Sequence, residues 1–286
     1  MTAPAVFIAG PASWNSIVVL DRLPEPSPHM QFAEASWETV GGTSAGKALS
    51  LAALATPAVL YALIGDDEHG RKIDAALSAA GLDVRWGSSA TTERHLNLMT
   101  PAGERVSLYL SGVSAQTGPV PDDVRAAMTD AEVVVLDLAA EPLRLLPFAT
   151  ASGRPVWVDV HDYDGEADFH RPFLEAADAV FCNADRLSDP VAFLRSRVDA
   201  GASFAVCTLG AEGAVAVDAD GETHRVDAVP VDVVDTNGAG DAFFAGVLAA
   251  RLAGAALPQA LESGAAAASR ALGSRHLHPV LDGIVR

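Results

Sequence analysis

The sequence predicts an α/β protein: a doubly wound, mostly parallel sheet with helices on both faces, beside a small β-sheet lid. Three observations carry this expectation. Short apolar or β-branched runs alternate with Ala- and Leu-rich stretches of helical spacing, the order of βαβ units. The runs are apolar almost throughout, as in strands covered on both faces. Two segments, roughly 12–40 and 91–112, break the rhythm with alternating polar and apolar residues, the pattern of strands with one wet face.

Each element follows in order. Buried strands are expected at 6–9, 58–64, 132–136, 155–160, 179–182 and 204–208, continuing with 215–217. Helices are expected at 46–55, 70–80, 122–130, 143–152 and 189–200. Pro24, Pro26 and Pro28 precede the alternating run QFAEASWETV, and two further alternating runs flank Pro101-Ala102-Gly103, a hairpin signal. The division read from this is a core of 1–11, 41–90 and 113–286, with a lid of 12–40 and 91–112.

Composition narrows the function. Half of the 286 residues are hydrophobic and 20% are charged, which suits a large buried core and excludes global disorder. With 19 Lys+Arg against 37 Asp+Glu the net charge is −18, so neither nucleic acid nor an anionic membrane is an expected partner. A small anion bound in an amide-lined pocket is compatible with that charge. Cys182 and Cys207 lie in apolar runs without metal spacing and read as buried, reduced thiols. No signal peptide and no uninterrupted membrane-length apolar run is seen, and a cytoplasmic location is expected.

The most informative segment is VVDTNGAGDAFFAG, residues 233–246. It reads as a short apolar strand at Val233-Val234 feeding a helix that runs to about Leu252. Gly238 and Gly240 leave room for close approach to the backbone, and the free N–H groups of a first helical turn favour an anion. Asp241 stands at the same helix start. It reads either as a general base taking a proton from an attacking hydroxyl beside a held phosphoryl group, or as an ordinary capping residue.

DTNGAGDAFFAG resembles the C-terminal signature of the ribokinase/PfkB family of carbohydrate and nucleoside kinases. Gly41-Gly42, followed by a helix, a strand and Gly65-Asp66-Asp67-Glu68-His69-Gly70, resembles the N-terminal signature. Thr208-Leu209-Gly210-Ala211-Glu212-Gly213 resembles the nucleotide-contacting turn. The resemblance spans the chain and implies a ribokinase-like fold and transfer of the γ-phosphate of ATP to a sugar or nucleoside hydroxyl. It implies Asp241 as base, with Gly238, Ala239 and Gly240 as an anion hole. Thr208, Gly210 and Gly213 are implied to line the nucleotide site, with adenine near 263–274. Asn183, Asp235 and Thr236 are implied at the cofactor side, with Mg²⁺ on the phosphates and K⁺ as a further candidate near the Asp235 carbonyl. The metal ligands are not assigned. A homodimer through the lid strands is implied as well.

Three positions depart from the family pattern, and two of them, Asn15 and Arg186, motivate the alternative of a catalytically silent sugar- or nucleotide-binding member. Asn15, preceded by Ser13, stands where an Asp usually holds sugar hydroxyls. The turn after Gly41 and Gly42 places Gly46 where an Asn is usual, followed by Lys47. Arg186 replaces the Glu of the N-x-x-E element that begins at Asn183, with Asp185 before it. GGTSAGKA is also one residue short of a P-loop, since Ala48 lacks the metal-binding hydroxyl; a plain strand-to-helix connection is the favoured reading. Lys47 reads either as a partner for an anionic acceptor group or, preferred, as a solvated lysine at a helix start. His95 and Asn97 share one lid-strand face and become acceptor contacts if that face covers the site. Asp162 or Asp164 reads as a metal or substrate contact or as part of an acidic surface loop. His276 and His278 are expected at the surface. Phe32 and Trp37 offer an aromatic slot if the acceptor is a nucleoside.

Overall fold

The computed structural model describes residues 4–101 and 103–285. In chain order it runs β1 (Val6–Ala9), β2 (Ser13–Val19), β3 (Ala35–Gly41), α1 (Thr43–Ala53), β4 (Ala58–Gly65), α2 (Glu68–Ala79), β5 (Asp83–Ser89), β6 (Arg94–Met99) and β7 (Arg105–Ser111). It continues through α3 (Asp122–Asp130), β8 (Val133–Asp137), α4 (Ala140–Ala151), β9 (Val156–Asp159), α5 (Arg171–Ala176), β10 (Ala179–Asn183) and α6 (Pro190–Asp199). The last elements are β11 (Phe204–Thr208), β12 (Ala214–Asp218), β13 (Thr223–Val226), α7 (Ala239–Leu252) and α8 (Leu257–Leu272).

Strand periodicity explains the layering. In β1 the alternate residues Val6 and Ile8 enter one core, while Phe7 and Ala9 enter the other. The first core takes Leu49 of α1, Ile73 of α2, Phe243 of α7 and Leu261 of α8. The second takes Val124 of α3, Leu145 of α4, Phe173 of α5 and Leu194 of α6. The large sheet has the order β13-β12-β11-β10-β9-β8-β1-β4-β5, parallel from β11 to β5. β12 pairs antiparallel with β11, and β13 with β12, so the 215–217 run belongs to an antiparallel edge rather than to the parallel set. Strand order reverses at β1, between β8 and β4, and open α/β sheets bind ligands at such a point, outside the strands' C-terminal ends.

The second sheet has the order β3-β2-β6-β7. Its inner face carries Asn15 opposite His95, Ile17 opposite Asn97, and Tyr109 beside His95. Val18, Leu96, Leu98, Val106 and Leu108 alternate to the outer face. The chain turns between β6 and β7 with a Gly103 N–H bond to the Thr100 carbonyl; Ala102 of the expected hairpin lies outside the described residues.

Two expectations need correction here. Val233-Val234 is not a strand: the segment lies in an irregular stretch, with the two side chains 57% and 60% exposed. Val233 instead forms part of a cavity wall. His276 and His278 are buried, not superficial. His276 Nδ1 meets Thr39 Oγ1 at 2.9 Å, and His278 Nδ1 accepts from the Val280 N–H at 3.2 Å. Local bonding to the lid and to the terminal turn explains why they tolerate burial.

Candidate active site

Four parallel strands end on polar residues at one edge of the sheet, the β10 and β11 ends two residues beyond the level of the β8 and β9 ends. Asp137 ends β8 and is in register with Asp159, which ends β9; Asn183 ends β10 and is in register with Thr208, which ends β11. The inner lid face stands over these ends, and the space between is a cavity of about 920 Å³. Its lining includes Asn15, Gly41, Gly42, His95, Asn97, Asn183, Thr208, Gly210, Asp235, Thr236, Gly238, Gly240 and Asp241.

The N-terminus of α7 opens into this cavity. Gly238 takes φ 79° at the N-cap, a left-handed conformation that a side chain disfavours, and a Cβ there would lie 2.4 Å from the Leu277 carbonyl oxygen. The first helical bond is donated by Ala242 N–H to the Gly238 carbonyl at 2.8 Å. The N–H groups of Gly240 and Asp241 precede it and are left without an intrahelical acceptor. Ala239 lines a second cavity of about 540 Å³ with Gly210, Gly213, Val231, Val233, Phe243 and Leu272. That apolar slot reaches α8 through Ala265, Ala268 and Ser269, inside the 263–274 stretch. Gly240, Thr208 and Gly210 line both cavities, so the two meet at the start of α7.

Asp241 is buried down to a side-chain exposure of 12%. Its Oδ1 accepts from Lys47 Nζ at 2.8 Å and from the Thr43 hydroxyl. Its Oδ2 lies against the Cα of Gly46, where a Cβ would come within 2.8 Å. Burial pushes the Asp241 pKa above the usual carboxylate value; the Lys47 charge and the two bonds to Oδ1 work against that rise, and Asp137 adds to it.

Lys47 is where the sequence reading fails most clearly. It is no solvated lysine: its side chain is 0% exposed. The ammonium lies 2.9 Å from Asp137 Oδ1, 3.2 Å from Asp159 Oδ2 and 2.8 Å from Asp241 Oδ1, and donates to Thr43 Oγ1 at 2.6 Å. Burial alone would favour the neutral amine, but the three carboxylates outweigh it and hold the ammonium protonated beyond the ordinary lysine range. Ser44 supports the cluster by donating to Asp137 Oδ2 at 2.5 Å. Asp137, Asp159 and His161 lie close enough for one ion to touch all of them, but Lys47 already supplies a cation to both carboxylates. Asp159 is held near 2: burial would raise it, and the His161 and Lys47 charges overcome that.

The other expected residues separate. Asn15 lines the cavity and accepts from the Ser13 hydroxyl at 2.8 Å, so Ser13 orients Asn15 and does not itself reach the cavity. Gly41 lets Asn15 approach, since a Cβ would meet Asn15 Nδ2 at 2.1 Å. Gly46 is absent from the cavity wall; it faces Asp241. His95 is bonded to Glu93 at 3.0 Å and lies 4.0 Å from the Tyr109 ring, and Asn97 is buried with its Oδ1 unpartnered. Asp235 is buried, with its pKa raised by burial, and accepts from the backbone and side chain of Asn237 at 2.8 Å. Asp162 lines the cavity, whereas Asp164 lies 3.5 Å from Arg186 on the surface. Phe32 and Trp37 line neither cavity. Trp37 instead donates to the Arg275 carbonyl at 3.0 Å.

The sequence reading passed over Asp137, Asp159, Thr43 and Arg105. The first two had a signal: each is the first charged residue after an apolar run, VVVLD and VWVD. Arg105 reaches from the lid to donate to Asn237 Oδ1 at 2.6 Å, and nothing local in RVSLYLS announces that.

Comparison with known proteins agrees with this geometry. The family model described as pfkB family carbohydrate kinase matches residues 20–279. An acarbose 7(IV)-phosphotransferase from Actinoplanes sp. is 33% identical over 273 residues, covering 93% of this chain and 91% of that protein. An ATP-dependent ribose-1-phosphate kinase from Halopiger xanaduensis is 32% identical, covering 90% and 88%. Among solved structures, a microbiome-derived acarbose kinase superposes with a TM-score of 0.85 at 30% identity, covering 99% of each chain. A ribokinase from Arabidopsis thaliana, solved with ribose and ATP, gives 0.80 at 24% identity over 98% and 96%, a likeness of fold. With its signature residues gathered at one sheet edge and the family match spanning most of its length, the chain belongs to the PfkB family of carbohydrate kinases.

Proposed function

We propose that the protein moves the γ-phosphate of ATP to a hydroxyl of a sugar-like acceptor held under the lid. One observation carries this: Asp241 lines the cavity at the amide-rich start of α7, with Oδ1 tied to Lys47 and Thr43 and, among the described residues, no side chain donating to Oδ2. In the step proposed, Oδ2 takes the acceptor's hydroxyl proton. The hydroxyl oxygen then bonds to the γ-phosphorus, the bond to the β,γ-bridging oxygen breaks, and ADP leaves. The N–H groups at Gly238–Gly240 hold the transferred group's charge. Adenine occupies the apolar slot between the 229–233 stretch and α8. Asn183 and Asp185, on the cavity rim, would offer side-chain oxygens toward a phosphate-bound Mg²⁺, which would screen the phosphate charge. K⁺ would be held by the carbonyls around Asp235. Such ATP-consuming chemistry fits the cytoplasm. Among the described residues no helix is long and apolar enough to cross a membrane.

For the acceptor, we favour an oligosaccharide-like polyol over a free pentose. The cavity is at the upper end of the ~300–1,000 Å³ typical of ligand sites. Two relatives at 30% identity or more are named for acarbose. Asn15, Asn97 and His95 supply donors and acceptors suited to hydroxyls. A nucleoside is the second reading, favoured by the Tyr109 ring in the cavity wall. Lid contacts such as Arg105 to Asn237 close the site against water and limit futile ATP hydrolysis.

We also propose a dimer through the lids. The outer lid face is apolar over β6 and β7, and on β7 it leaves Val106, Leu108 and Leu110 40%, 45% and 50% exposed. A second copy presenting the same face is the occupant this pattern suits.

The test is ADP release from Mg·ATP across pentoses, hexoses, sugar phosphates, inositols, nucleosides and acarbose, with Asp241→Asn alongside. We expect one strong acceptor. We expect the variant to lose on the order of 10²–10⁴-fold in turnover while still binding ATP. Undiminished turnover in Asp241→Asn removes the base assignment, and a nucleoside outperforming every polyol overturns the acceptor class.

A further inference from the structure

We infer that Lys47 is a positioning residue for the base: its buried ammonium fixes the Asp241 carboxylate through Oδ1 and sets the pH above which the enzyme works. The inference rests on the assignment of Asp241 as base. A carboxylate buried this deeply, with a second carboxylate nearby, tends to take up a proton and so to be useless as a base at low pH. Something fixed and positive has to oppose that.

The geometry gives Lys47 this task and no other. It cannot hold an acceptor, since it has no exposed atom. Its ammonium has three N–H donors and four oxygen neighbours, contributed by Thr43 on its own helix, Asp137 on β8, Asp159 on β9 and Asp241 on α7. The Phe244 ring closes the remaining side, 5.0 Å from Nζ. His161 faces the same cluster through Asp159, 3.6 Å from its Oδ1. Thr43 is shared: it accepts from Lys47 and donates to the oxygen of Asp241 that Lys47 also holds. Both carboxylate contacts therefore fall on Oδ1, and among the described residues no side chain donates to Oδ2. The ammonium thus selects which oxygen meets the acceptor hydroxyl.

The cluster carries opposing charges, so two substitutions should move the base in opposite directions. Lys47→Gln removes the only cation touching Asp241 among the described residues. The acidic limb of kcat/KM then moves to higher pH by about one unit or more, a shift of the size expected for one charge within ~4–6 Å. Below the limb that is roughly tenfold less activity per unit at fixed pH, recovered as pH rises. Asp137→Asn removes a competing carboxylate and moves the limb to lower pH. A purely structural role for Lys47 would lower activity at all pH values alike and would not predict the second shift.

The measurement is the pH profile of kcat/KM for the wild type, Lys47→Gln and Asp137→Asn, each checked for folding by circular dichroism, with Asp241→Asn as reference. Limbs displaced in opposite directions support the inference. A folded Lys47→Gln with an unmoved limb overturns it, as does an Asp137→Asn limb that moves upward or stays. If Lys47→Gln does not fold, the Asp137→Asn limb decides alone. Asp241→Asn that is inactive throughout keeps the base assignment whatever the other profiles show, whereas an active Asp241→Asn with the wild-type limb removes the assignment itself.

Discussion

At the scale of single residues, the site depends on what position 46 lacks. Gly46 lies inside α1, where alanine would be favoured by about 1 kcal/mol on helix propensity. Yet an added Cβ meets Asp241 Oδ2 at 2.8 Å and Asp241 Cβ at 3.0 Å. Gly46→Ala is therefore expected to keep or slightly raise the melting temperature while kcat falls, by on the order of tenfold to a hundredfold, if Asp241 is the base proposed above, because its carboxylate is pushed out of line. Thermal denaturation and steady-state kinetics on one preparation check both halves; equal kcat would show that the carboxylate has slack. The roles of Gly46 and Lys47 were not legible in the sequence. A lysine four residues into an Ala-rich helix looks like a solvated one. Its burial is compensated by carboxylates that arrive from strands some 90 and 112 positions later, and from a helix 194 positions later. Asp241 was legible because its partners in recognition, Gly238 and Gly240, are its neighbours in sequence.

At the scale of elements, α2 shows how the lid is hinged to the core. Asp67 caps this helix by accepting from Gly70 N–H at 2.9 Å, and its other oxygen accepts from Thr92 N–H, just before β6, at 2.9 Å. Asp67→Ala should cost about 1–2 kcal/mol, measured by urea unfolding, since it removes a cap and a tether together. Burial alone would raise the Asp67 pKa, but the Gly70 and Thr92 donors hold it at about 2 against an ordinary 3.8. Its contribution is thus complete above the unfolded value and disappears as pH falls through about 2, and the variant should lose the matching part of the acid-unfolding curve. Elements with strong local periods were legible: β1, β11 and α3 fall at the expected bounds. Those missed had no such period. β13 is a polar edge strand (THRV), and α5 is a six-residue helix (RPFLEA). The 263–274 stretch, expected beside the adenine, is the last turns of α8 and the two residues after it, and the alanines of that helix form cavity wall on one side and core on the other.

At the scale of the molecule, the lid is turned inside out relative to an ordinary surface sheet: polar residues face inward over the cavity, and apolar ones face out. If a second copy covers that outer face, Leu108→Glu should shift sedimentation from dimer to monomer at micromolar concentration. The same species before and after substitution would remove the proposed dimer. The two-layered core with a lid was legible because strand alternation reports burial directly: doubly covered strands read as continuous apolar runs, and the lid strands as alternating ones. What closes the lid was not legible. Arg105 to Asn237, Trp37 to Arg275 and Thr39 to His276 each join residues more than 130 positions apart, and each is a single polar contact.

The glycine beneath Asp241 has a consequence for how such an enzyme diversifies. With position 46 barred from carrying a side chain and Lys47 sealed inside the protein, neither can read an acceptor. If the acceptor lies under the lid, its recognition is left to the inner lid face with Asn15 on β2, which belongs to a different sheet from Asp137 and Asp159. Chemistry and selectivity are then separately heritable: the lid can drift toward a new sugar without disturbing the machinery that moves the phosphate.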